Sequence, residues 1–469
     1  MAKTEHKKIK FRKKHKFVKN LTAVAACFII IAGALFAYNA GYFDTNRVTG
    51  FDNYDELNAK LSALEKINTL SEMGGGYFST KLYVTEDGVE NPKTVKYYNG
   101  YLFYAYYNSN DSNNRNKVYI FNANGENSNL IALIDDFNLD DFEIQDLFVQ
   151  NNRLIINLTS EQSAVTKIYD VSNCADPILI SEFTQGGKYS SSNIIGNKLF
   201  VFTSHIDSDN LPYIEDNGER KTISYKDIIC FENATVAQYA VVNSIDIEKG
   251  TQADDLKAFL GGSSKARCTK DYIYINEYIE GEIFDVPERE VTTAMKINVE
   301  NGKVAYATEE EIKQYSNVYI DVDRGEDAYS STIYPIGDYF ISIGDNFSVP
   351  ETEIILFDKN FNELDHLTFE FYDFDTSILT MYGSLAVNEK SNTFAVPAYF
   401  PNETNRIYGV LTFAIENNKI VIKDKYMNED DNAMYEGLCI FADKYLYSFN
   451  INDYAEDGEK VKIFSYSYE

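Results

Sequence analysis

Residues able to do chemistry are few in this chain. Beyond the N-terminal segment there are two histidines, His205 and His366, 161 residues apart in sequence. Zinc sites draw on His and Cys at fixed short spacings, and no such cluster is present. In Thr203-Ser204-His205-Ile206-Asp207 the residue types of a Ser/His/Asp triad lie together, but no G-x-S-x-G elbow accompanies them. His205 therefore reads as a loop histidine with no assigned role. Gly74-Gly75-Gly76 is not followed by G-K-[ST], so it reads as a hinge, not a phosphate loop.

Carboxylates are plentiful: 72 Asp and Glu against 43 Lys and Arg, a net charge of −29. Two suggestions follow. Calcium takes several oxygen ligands from loops, and Asp321-Val322-Asp323-Arg324-Gly325-Glu326-Asp327 alternates acids around a turn glycine. It lacks the distal Glu of an EF-hand loop, and Arg324 competes, so Asp321, Asp323 and Asp327 are weak candidates. Asp207-Ser208-Asp209-Asn210 is weaker still. Short acidic runs are usually solvated loops, and the expectation is no resident metal or cofactor. A glycosidase, alternatively, needs only two facing carboxylates. Against it stands the absence of Trp, the largest flat platform for a sugar ring, although 37 Tyr are available. No catalytic residue is assigned.

The charge is unevenly placed. Residues 1–19 carry nine Lys or Arg and one acid, and residues 20–43 carry no charge at all. The remainder has a net charge of −37. About 20 apolar residues span a bilayer as helix, and flanking Lys/Arg keep their side cytoplasmic. This predicts a basic cytoplasmic tail (1–19), a transmembrane helix or uncleaved signal anchor (20–43), and everything after Asp44 outside the cell. A cleaved signal peptide remains the alternative, because Ala32-Gly33-Ala34 has the form of a cleavage site. The acidic exterior excludes a nucleic-acid partner, which needs a basic footprint. Cys174, Cys230, Cys268 and Cys439 are widely spaced and read as separate buried thiols.

A stalk (44–76) follows, in which Asn53 and Glu56 form a capping pair. Leu57, Leu61, Leu64 and Ile67 then recur at helical spacing, so a short helix should pack against the main domain. From residue 77 to 469 the period changes to two. One unit recurs, a Gly/Asn/Asp/Lys turn followed by an apolar strand. It starts at Asn99, Asn151, Gly196, Lys270, Gly337, Ser391 and Ala442, a mean spacing of about 57 residues. Each copy has a follower strand: Lys117–Phe121, Thr166–Asp170, Gln238–Asp246, Met295–Val299, Glu353–Asp358, Val410–Ile415 and Lys460–Tyr466. Short-strand repeats on this scale predict an all-β, seven-bladed β-propeller. A pair of sandwiches is the alternative. The seventh repeat lacks an outer strand, and Tyr77–Val84 has no repeat of its own. The expectation is that these two pair and close the ring, because an open edge invites aggregation.

Three stretches carry a family resemblance. Gly88-Val89-Glu90-Asn91-Pro92-Lys93-Thr94-Val95-Lys96 looks like a GVDEPDIVK opening segment. Tyr169–Ile180 resembles a YDISDPSNPKLV stretch, and Ser191–Thr203 an SSRMIGDKLYLVT stretch. In order and spacing these resemble bacterial secreted or membrane-anchored proteins with a C-terminal β-propeller distantly related to WD40 repeats. The resemblance covers about 51–469 and implies no established reaction. This chain departs from it at Asn91, Lys93 and Asn193, where the family pattern has two acids and an Arg. Contacts that depend on those charges are therefore not expected here. The reading is a single-pass membrane protein displaying a propeller at the cell surface. It would bind a surface protein, peptide or wall polymer without catalysis. The alternative function is a carboxylate-based hydrolase of a surface glycan.

Overall fold

A computed structural model describes residues 50–64, 80–82, 88–107, 115–135, 137, 141–206, 210–278, 293–316, 329–346, 351–370, 385–401, 406–427, 435–452, 455–456 and 459–468. Residues 49–469 form one compact unit. The tail and the span at 20–43, the Gly74–Gly76 hinge and the Asp321–Asp327 run lie outside the described residues. Among those described, no helix is long and apolar enough to cross a membrane.

The described strands fall into seven separate sheets of three to six strands, and no sheet closes on itself. In chain order their main strands span 95–134, 143–186, 188–260, 267–306, 329–370, 386–427 and 435–467; they are called the first to seventh sheets below. Every turn-strand unit anticipated from sequence is the second strand of one of these, and every follower is the third. The turns explain why the units recur. Asn99 and Gly100 sit at φ 49° and 82°, and Asn151 and Asn152 at 52° and 58°. Positive φ at both central residues is the two-residue hairpin that matches strand twist, and Asn or Gly adopts it at least cost.

Each second strand is buried on both faces, so its apolar run is continuous rather than alternating. In Tyr101–Tyr107 the five central residues are all buried. Phe103 and Ala105 face the second sheet, where they meet Leu154, Ile156 and Leu158. Leu102, Tyr104 and Tyr106 face the other way, onto Leu438, Tyr447 and Phe449 of the seventh. The same alternation joins the second sheet to the third through Ile155 and Leu199. Fifth and sixth meet through Ile343 and Phe394, and sixth and seventh through Val410 and Leu446. The third and fourth touch through a bridge between Gly262 and Glu277. The chain's first and last sheets are thus neighbours, with Tyr104 stacked on Phe449 at 5.0 Å. The Tyr97 hydroxyl donates to Asp443 at 2.5 Å.

This arrangement corrects the expected closure. The seventh sheet has three strands, as anticipated, but its last strand, Val461–Ser467, does not pair with Thr80–Leu82. That short strand instead runs parallel to Ser331–Ile333 at the edge of the fifth sheet. Face-to-face packing of the first and seventh sheets buries their apolar surface without a shared strand.

The helix Tyr54–Ala63 forms where periodicity placed it. Asn53 caps it, accepting from the Glu56 amide at 2.9 Å, while Glu56 accepts from the Asp52 amide at 3.0 Å. Leu57 and Leu61 are buried against the core shared by the second and third sheets. Ile67 lies outside the described residues.

Candidate functional site

A cavity of about 540 Å³ is lined by the segment Gly88–Lys96 and by residues of several sheets. The backbone of this segment is pinned three times in nine residues. Val89 and Glu90 pair antiparallel with Ile195 and Ile194 of the third sheet. Lys93 exchanges both backbone hydrogen bonds with Leu147 of the second sheet, at 2.8 and 3.2 Å. Val95 then enters the first sheet opposite Tyr104. Gly88, at φ +80°, makes the turn into this path. The remaining wall comes from the fifth, sixth and seventh sheets, including Pro335, Leu385 and Ile440.

Among the described residues, four charged side chains line the cavity: Glu90, Lys93, Lys96 and Glu389. Glu90 and Lys96 are a pair at 2.6 Å, and Lys96 also donates to the Asn91 carbonyl at 3.2 Å. Lys96 further lies 5.7 Å from the centre of the Phe148 ring. Asn91 accepts from the Asn193 amide at 2.7 Å. Two of the three positions where this chain departs from the resembled pattern, Asn91 and Asn193, therefore meet in space, and a neutral amide pair stands where that pattern would place opposite charges. Lys93 is open to the cavity yet surrounded by protein. That enclosure lowers its pKa below the usual lysine value, the nearby Lys96 charge adds to the effect, and Glu90 and Glu389 oppose it.

Behind Lys96 lies a polar network between the second and third sheets. Asp146 accepts from Tyr189 Oη at 2.6 Å and from Asn157 Nδ2 at 2.8 Å. Ser192 Oγ is 2.7 Å from Tyr189 Oη and 3.0 Å from Asn157 Nδ2. Thr166 completes it by donating to Asn157 Oδ1 at 2.9 Å. Burial pushes the Asp146 carboxyl up to about 6, against the opposing pull of these hydrogen bonds and of Lys96. The same burial raises Tyr189 well above its ordinary value.

The model of the beta propeller domain family matches residues 80–317, just over half of the chain. The chain belongs to the beta propeller domain family. Nothing among curated proteins matches this propeller. Solved structures similar to it include a hypothetical selenium-binding protein from Sulfolobus tokodaii, at 9% identity and a TM-score of 0.39, covering 81% of this chain and 93% of that one. An oligogalacturonate lyase in complex with manganese is similar at 9% identity and a TM-score of 0.37, over 81% and 90% of the two chains. The acylaminoacyl peptidase of Pyrococcus horikoshii is similar at 9% identity and a TM-score of 0.36, over 81% of the propeller chain and only 51% of the peptidase.

Neither His205 nor His366 lines the cavity. Asp321, Asp323, Asp327, Asp207 and Asp209 are outside the described residues. Among those described, no group of three His, Cys, Asp or Glu is placed to hold a metal. His205 is not a loop residue: it ends the strand Lys198–His205, is buried, and its Nε2 lies 2.7 Å from the Asn210 carbonyl. His366 lies in the fifth sheet, 3.6 Å from Glu353. Cys174, Cys230, Cys268 and Cys439 are free thiols, three of them buried and Cys230 half-buried. Cys439 borders the cavity, and burial raises its thiol pKa to about 12, so it is not a poised nucleophile. Sequence reasoning missed Glu389, Asp146 and Tyr189. One signal was present for Asp146, an acid inside the otherwise strand-forming run Ile144–Val149.

Proposed function

We propose that this protein is a membrane-anchored propeller that binds a partner at the cell surface through its central cavity, without catalysis. In this reading residues 1–19 are cytoplasmic, 20–43 span the membrane, and the seven sheets are seven blades displayed outside the cell. The partner is a surface protein, peptide or wall polymer. The observation that carries the reading is the cavity itself. Six sheets and one threefold-pinned segment converge on it, and rigid support of this kind suits a preformed binding site. Its chemistry favours binding over glycan hydrolysis. Hydrolysis needs two available carboxylates facing one another. Of the two that line the cavity among the described residues, Glu90 is held by Lys96.

The test is capture of purified wall polymer and of shaved surface proteins by the immobilised full-length chain. Gln150→Trp, which plants a large ring among the cavity-lining residues, should lower capture by about tenfold, the loss of one well-made anchor contact. Capture that survives this substitution unchanged would remove the cavity from the function. Release of reducing sugar from the polymer would favour the hydrolase instead.

A further inference from the structure

The two remaining cavity charges suggest what kind of group binds there. Lys93 has no hydrogen-bond or ion-pair partner for its ammonium among the described residues, and Glu389 has none for its carboxylate. The two stand on different walls. Lys93 lies on the crossing segment against the second sheet, and Glu389 in the turn between two strands of the sixth. Each feels the other electrostatically, but they do not form an ion pair. Both are solvent-accessible. By contrast, Glu90 and Lys96, in the same cavity, are joined at 2.6 Å. A separated, unpaired cation and anion across a cavity leave room for a ligand that carries the complementary charges at its two ends.

We propose that the cavity binds a small zwitterion, a short peptide or free amino acid, with its carboxylate on Lys93 and its ammonium on Glu389. This rests on the binding reading above and deepens it by naming the ligand class. The size is suitable: about 540 Å³ lies within the usual range for small-molecule sites. The apolar part of the lining includes Val89, Pro92, Leu385 and Ile440, which suits small aliphatic side chains. Electrostatics also favour it. Lys93 is flanked by protein and by the Lys96 charge, and an arriving carboxylate supplies the counter-charge that it lacks. Charge-assisted hydrogen bonds at each end are the strong kind. A ligand with only one of the two charges forgoes one of the two charge-assisted contacts, which gives the site its selectivity.

The experiment is calorimetric titration of the full-length chain in detergent with alanyl-alanine, N-acetyl-alanyl-alanine and alanyl-alanine amide. The free dipeptide should bind at least about tenfold more tightly than either capped form, one charge-assisted contact each. Lys93→Gln should abolish the preference for a free carboxylate and keep that for a free amine. Glu389→Gln should do the reverse, and Lys93→Arg should retain both. Equal binding of free and N-acetylated dipeptide would overturn the proposal, as would equal binding of the free and amidated forms. The capped ligands need no variant, so a misfolded substitution does not blunt the test. Failure of all three to bind also overturns it. Capture of surface material by the wild type, lost in Gln150→Trp, would show that the broader reading survives.

Discussion

Asp146→Asn should turn a pH-dependent stability into a flat one. Burial raises this carboxyl from 3.8 to about 6 in the folded protein. Between those values the folded state binds the proton and the unfolded state does not, so stability falls as pH rises through the window. The size follows from the shift: roughly two pK units at 1.36 kcal/mol each, about 3 kcal/mol, present below pH 4 and lost above pH 6. Asn removes the titration and can still accept from Tyr189 or Asn157. Urea denaturation at pH 4, 5, 6 and 7 measures it, followed by tyrosine fluorescence because the chain has no Trp. The many other carboxylates titrate in both proteins and cancel in the difference. Wild type minus variant should therefore move by about 3 kcal/mol in the variant's favour from pH 4 to pH 7. A constant difference would mean that Asp146 is not shifted by burial. A change of opposite sign would mean that Lys96 and the hydrogen bonds outweigh burial and hold it ionised.

Three further outcomes are expected. Protease added to wall-permeabilised intact cells should degrade the propeller and leave a tag on residues 1–19 intact; the reverse pattern would invert the topology. Leu57→Ala, which empties a fully buried position between the N-terminal helix and the second and third sheets, should cost about 2–5 kcal/mol in chemical denaturation, and a loss below about 1 kcal/mol would mean that the helix docks loosely. Millimolar calcium should leave the melting temperature unchanged; a rise abolished by Asp323→Ala would instead place a calcium ion on the Asp321–Asp327 run.

The strands were legible because each repeat announces itself locally. A positive-φ Asn or Gly turn and an apolar run lie within six residues, as at Asn99–Tyr104, and no distant information is needed. Closure was not legible, because the argument from open edges assumed that a shared strand is the remedy. The alternating faces of Leu102–Tyr106 achieve the same protection by stacking, and a continuous apolar run does not reveal which neighbour each face meets. The three-residue parallel pairing at Thr80–Leu82 is too short to leave a pattern. The cavity was legible only as a resemblance at Gly88–Lys96. Its chemistry depends on Lys93, Asp146 and Glu389, which are far apart in sequence and share no spacing. That Asn91 and Asn193 compensate one another could be seen only once they stood 2.7 Å apart.

The meeting of first and last sheets also sets a timetable for folding. A chain made from its N-terminus presents Leu102, Tyr104, Tyr106 and Tyr119 long before Leu438, Tyr447, Phe449 and Val461 exist to cover them. The Gly88–Lys96 segment likewise waits for Ile194 and Ile195, about a hundred residues later, before it can lie in place. Non-local contacts of this separation form slowly, and unmatched apolar faces aggregate in the interval. The tyrosine-rich face of the first sheet is thus the surface that a chaperone would find on the unfinished chain, and chains truncated before residue 438 would keep it exposed.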